Sequence, residues 1–88
     1  MTVLVDDPLW PAHGRLWAHL VSDESLDELH AFARANGIAP RAFVLDHFDV
    51  PEEIIPRLVA AGAQHVKGKE FVRRLIASGL RVRSRDRR

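Results

Sequence analysis

The chain has 88 residues, no cysteine, and nearly balanced charge, with 13 Lys/Arg against 12 Asp/Glu. This length suits one small domain, which buries roughly 60–65% of its unfolded surface. Disulfides and thiolate metal sites are excluded, so any metal must use His, carboxylate or backbone oxygen, and no apolar run approaches the roughly 20 residues of a membrane-spanning helix.

The start, "MTVLVDDP", turns acidic at once, so no secretory signal is expected and a cytoplasmic location is the default. "TVLVD" (2–6) is β-branched and apolar and reads as a short buried strand. Residues 7–15 carry two prolines and a glycine and read as a loop of about nine residues, longer than the usual four to six. "LWAHLVS" (16–22) reads as a second strand, with Trp17, His19 and Val21 on one face and Leu16, Ala18 and Leu20 on the other. "SLDELHAFARANG" (25–37) is the clearest helix. Ser25 and Glu28 form a capping box, Leu26, Leu29, Phe32 and Ala33 make the apolar stripe, and Gly37 with Ile38 fits a Schellman ending.

"FVLDHFDV" (43–50) reads as a third strand, with Phe48 and Val50 facing one way and His47 and Asp49 the other. "PEEIIPRLVAAG" (51–62) reads as a second helix, which Pro56 either kinks or forces to begin near Ile55. "AQHV" (63–66) is a short fourth strand, and "GKEFVRRLIASG" (68–79) a third helix with a Schellman-like end at Gly79 and Leu80. The order β-β-α-β-α-β-α predicts a small layered α/β domain over 1–80, with about four strands in a mostly parallel sheet. Residues 81–88, "RVRSRDRR", carry five arginines against one aspartate, while 1–80 carry eight basic against eleven acidic residues. The basic stretch reads as a disordered tail suited to nucleic-acid phosphates or another acidic partner.

Ligands gather at the ends of sheet strands, and carboxylates placed there by a strand are frequent metal ligands. Asp6 or Asp7, Asp23 and Asp49 fit that placement. Each also has a plain structural reading: a turn before Pro8, a helix cap, or the D-x-x-E cap formed by Asp49 and Glu52. His19 and His47 lie within strands beside such carboxylates, where an imidazole serves as metal ligand, general base or core residue. His13, in "HGR", adjoins Gly14 and Arg15, whose guanidinium suits phosphate or carboxylate. Trp10 and Trp17 read as core or pocket wall, His30 as a helix-flank residue, and His65 as part of the fourth strand. No H-x-x-x-H, P-loop, dinucleotide-binding or G-x-S-x-G pattern occurs.

The string "VDDPLWPAHGRLWAHLVSDESLDELHAFARANGI", followed by "DHFDVPEE", "AAGAQHV" and "GKEFVRRL", resembles the bacterial and phage domain of unknown function 4031 family, with the blocks in order over nearly all of 1–80. The pattern covers Asp6, Pro11, Gly14, Arg15, Trp17, His19, Asp23, Glu28, Leu29, His30, His47, Asp49 and Gly62. Family members often have tyrosine where this chain has Leu4 and Phe48, and the chain has no tyrosine. The resemblance carries no activity with it, but it adds His30 to the residues expected around a pocket. The expectation is a polar pocket with His19 and His47 as acid/base groups and Asp6 and Asp49 joining them around a divalent cation. His13, Arg15, Trp17 and His30 would bind a phosphate-bearing ligand for phosphoryl transfer or hydrolysis. Whether the chain is an enzyme is left open. A nucleic-acid module using residues 81–88 and a homodimerising domain with structural histidines are the alternatives.

Overall fold

The computed structural model describes residues 2–82, so the expected basic tail lies, from residue 83 on, outside the described residues. The chain runs β1 (Val3–Val5), β2 (Trp10–Ala12), β3 (Arg15–Ser22), α1 (Leu26–Ala35), β4 (Phe43–Val44), β5 (His47–Pro51), α2 (Ile55–Ala60), β6 (Gln64–His65) and α3 (Gly68–Ser78). Among the described residues six strands form one sheet in the order β4-β5-β3-β1-β6, with β2 also paired to β3. No described helix is long and apolar enough to cross a membrane.

The sheet is mixed, not mostly parallel, and has six strands where about four were expected. Only β1 and β6 pair in parallel; β1–β3, β2–β3, β3–β5 and β4–β5 are antiparallel. The cause is a hairpin inside the segment expected to be one strand. Val44 pairs with His47, and Leu45 turns the chain with φ of 60°, a left-handed conformation that costs a leucine about 1–2 kcal/mol. The reversed arm, β5, pairs antiparallel with β3 and separates it from β4. A second hairpin replaces the long loop expected over 7–15. Ala12 pairs with Arg15, and the two turn residues, His13 and Gly14, both have positive φ, as a type I′ turn requires.

Alternation along the strands sorts side chains into two cores. Val3, Val5, Ala18, Leu20, Phe48 and Val50 pack with Leu29 and Ala33 of α1 and Leu58 of α2. On the opposite face Leu4, Val21 and Val66 pack with Phe71 and Leu75 of α3. The face assignments expected for β3 and β5 therefore hold. Helix α2 begins at Ile55, with Pro56 in its first turn where no amide donor is needed. Helix α1 ends in the expected Schellman pattern: Ile38 N–H donates to Ala33 O and Gly37 N–H to Arg34 O. Helix α3 does not, because the Leu80 amide donates to Ser78 Oγ, whose hydroxyl in turn donates to Leu75 O.

Helix α3 covers only part of its face. The covered strip holds Val21 and Leu4; the neighbouring strip of β3 and β5 carries Trp17, His19, His47 and Asp49. This is where the sheet presents polar groups.

Candidate metal centre

In the β3–β5 register His19 stands directly opposite Asp49, and His47 lies two residues before Asp49 on the same face of β5. The His19 and His47 rings approach edge to face with centroids 4.9 Å apart. One ligand atom from each of His19, His47 and Asp49 can be chosen so that all lie within 4.8 Å of one another.

A carboxylate stands behind each ring. Asp6 follows β1, and its Oδ1 accepts the His19 amide at 2.6 Å while its Oδ2 lies 2.8 Å from His19 Nδ1. An ionised carboxylate only accepts, so Nδ1 carries a hydrogen, and in the neutral ring the lone pair is on Nε2. Asp46, 1% exposed at the β4–β5 turn, places Oδ1 2.9 Å from His47 Nδ1 and accepts the Val82 amide on Oδ2 at 2.8 Å. His47 Nε2 lies 3.1 Å from Asp49 Oδ1, a spacing at which a proton or a metal ion can join them. The hydrogen bond from Asp6 holds the His19 pKa above its usual 6.5 against the effect of burial, with the charges of Asp6, Asp49 and Asp46 adding to the rise.

A cavity of about 260 Å³ opens at this point, lined by Asp6, His19, Asp46, His47, Phe71 and Arg81 among others. Three carboxylates thus surround two imidazoles, and the His19, His47 and Asp49 group could hold a metal ion. Two nitrogens and one oxygen suit zinc or a first-row transition ion better than magnesium, the hard cation that carboxylates alone would favour. The pairs Asp6–His19 and Asp46–His47 match the carboxylate–histidine support that fixes tautomer and ring orientation behind metal ligands. Asp6, expected as a ligand, stands behind His19 and outside the converging trio.

The other residues expected at the site disperse in the folded chain. His13 and Trp17 line a groove that meets the site at Asp49. Arg15 is not at the cavity; its guanidinium pairs with Glu53 at 3.2 Å. His30 lies on the α1 face, against the rings of Phe43 and Phe48, where it lines a separate cavity of about 540 Å³. His65 pairs with Asp7 at 2.7 Å. Asp23 has a structural role, tying the Thr2 amide to Arg74. The capping box is half realised: Ser25 Oγ accepts the Glu28 amide, while the Glu28 carboxylate accepts from Ser22. Sequence reasoning missed Asp46 and Arg41, and placed Arg81 in the basic stretch 81–88 and not at a pocket. Asp46 could have been found had "VLDH" been read as a turn, since Asp is a common turn residue.

The fold and site define a small α/β domain with a carboxylate-backed His/His/Asp cluster on an open strip of mixed sheet. The family model described as "Protein of unknown function (DUF4031)" matches residues 3–78, and the chain belongs to that family. No curated protein and no solved structure matches the chain.

Proposed function

We propose that the domain is a metal-dependent hydrolytic site acting on a phosphate-bearing substrate, with His19, His47 and Asp49 holding one zinc-type divalent ion. The observation that carries this reading is the convergence of the two imidazoles with Asp49, each ring backed on Nδ1 by its own carboxylate. Three protein ligands leave coordination positions free, as in catalytic sites, whereas structural zinc sites use four. A bound ion there supplies Lewis acidity to a phosphoryl oxygen. Asp6 and Asp46 orient the two rings, and Arg81, at the cavity wall, takes an anionic oxygen of the substrate in the role first expected of Arg15.

The test begins with protein purified without a histidine tag. Zinc and manganese affinity is measured by competition with a chromophoric chelator, for the wild type and for His19→Ala, His47→Ala and Asp49→Asn. The expected result is about one ion per chain, with affinity reduced at least tenfold in each variant. Equal affinity in the wild type and a His19→Ala/His47→Ala double variant would overturn the reading. Hydrolysis of an activated phosphodiester or phosphomonoester should require the ion, stop on chelation and be absent in Asp49→Asn. Binding without turnover would reduce the function to cation binding.

A further inference from the structure

The metal cluster opens at Asp49 into a groove of about 590 Å³, whose lining includes Trp10, His13, Trp17, Arg41 and Val44. This volume lies within the roughly 300–1,000 Å³ of small-molecule sites. Both tryptophans of the chain stand in it. They are cross-strand partners on the β2–β3 hairpin, with ring centroids 6.3 Å apart and planes 55° apart. Trp17 is fixed by its indole N–H, which donates to Ala12 O at 2.9 Å. Trp10 remains 45% exposed and lies nearly parallel to the His19 ring, at 9° and 6.4 Å between centroids. An exposed tryptophan face beside a His/His/Asp cluster offers a flat surface to a planar ring. The groove also carries positive charge. Arg15, Arg73 and Arg74 are each paired with an acidic side chain, but Arg41 has no carboxylate partner among the described residues. His13 stands with it in the lining.

We propose that the groove is a nucleotide subsite: a nucleobase stacks on Trp10 with Trp17 against its edge, and Arg41 takes an oxygen of the phosphate, which is directed toward Asp49. This rests on the hydrolytic reading for its position but not for its binding chemistry. Indoles favour a planar ring and the guanidinium favours an anion, and a nucleoside phosphate, free or in a single strand, presents both. Because both tryptophans lie in the groove, total tryptophan emission reports its occupancy.

The zinc-loaded full chain is titrated with adenosine monophosphate, an eight-nucleotide single-stranded DNA, ribose 5-phosphate and inorganic phosphate, following tryptophan emission and, in parallel, calorimetry. Saturable quenching by the nucleotide, with ribose 5-phosphate binding about tenfold or more weakly, is expected. Arg41→Ala should weaken the nucleotide about tenfold, and Trp10→Ala should remove the preference for the base. Trp10→Phe, which keeps an aromatic cross-strand pair, should retain most of that preference. Tighter binding of the oligonucleotide than of the mononucleotide assigns the subsite to a strand, and equal binding to free nucleotides. Ribose 5-phosphate binding as tightly as the nucleotide would overturn the proposal, as would nucleotide binding without a change in tryptophan emission. The His19→Ala/His47→Ala variant separates the two readings. Quenching that persists there while the wild type binds no metal leaves the subsite standing and removes the metal site. Metal binding with no base preference does the reverse.

Discussion

Asp46 is the residue on which the site's electrostatics turn. A carboxylate 1% exposed is costly unless its oxygens are engaged, and here one meets His47 Nδ1 and the other the Val82 amide. Asp46→Asn keeps the shape while removing the charge behind His47 that would strengthen that ring as a ligand for the proposed ion. Zinc affinity should fall about 10–100-fold with little change in thermal midpoint, read by chelator competition and by circular dichroism. An unchanged affinity would show that Asp46 serves the turn alone. This residue was hidden in the sequence for a physical reason. In "FVLDHFDV" Asp46 is the single turn-prone residue between Val44 and His47, with no Gly, Asn or Pro beside it, and a leucine at φ of 60° is one that propensity does not anticipate. His19, His47 and Asp49 were legible because period-two alternation in β3 and β5 assigns faces without knowledge of pairing.

At the level of elements, an ion pair joins the end of β3 to α3, and the same carboxylate holds the start of β1. Asp23 accepts the Thr2 amide at 2.9 Å and the Arg74 guanidinium at 2.7 Å. Burial raises the Asp23 pKa, but the Arg74 hydrogen bond, the Thr2 amide and the Arg74 charge outweigh it and bring the value below the ordinary 3.8. A carboxyl depressed on folding stabilises the native state above its unfolded pKa and loses that contribution as pH falls through the folded one. Unfolding free energy should therefore decline below about pH 4 more steeply in the wild type than in Asp23→Asn, measured by urea titration at several pH values. Parallel profiles would show that the pair contributes nothing at this junction. The helices were readable from their caps and stripes. Sheet adjacency was not, because it depends on the β4–β5 reversal. The expected parallel directions hold only in part: β4 runs with β3 and β6 with β5, each separated by intervening strands, but β5, the longer arm of the expected third strand, runs against β3.

Across the whole molecule the two cores are unequal. The face under α3 relies on Leu4, Val21, Val66, Phe71 and Leu75, fewer residues than α1 and α2 bury opposite. Leu75→Ala should cost about 2–5 kcal/mol, a large share of the roughly 4–13 kcal/mol expected for a chain of 88 residues. The measurement is the urea midpoint at constant m-value; a loss under about 1 kcal/mol would show that α3 is weakly coupled to the sheet. The same helix lines the cavity at His19 and His47 with Phe71 and Leu75, so the thinner core and the candidate site share one wall.

The contact between the Val82 amide and Asp46 joins two regions that are distant in sequence. Through Asp46 it connects the chain at Val82 with the His47 ring. A ligand that draws Val82 away weakens the support behind His47. By reciprocity, an ion on His47 favours the chain path that keeps Val82 in place. If the proposed ion binds at His47, its affinity should therefore depend on whether the Val82 amide keeps its place on Asp46.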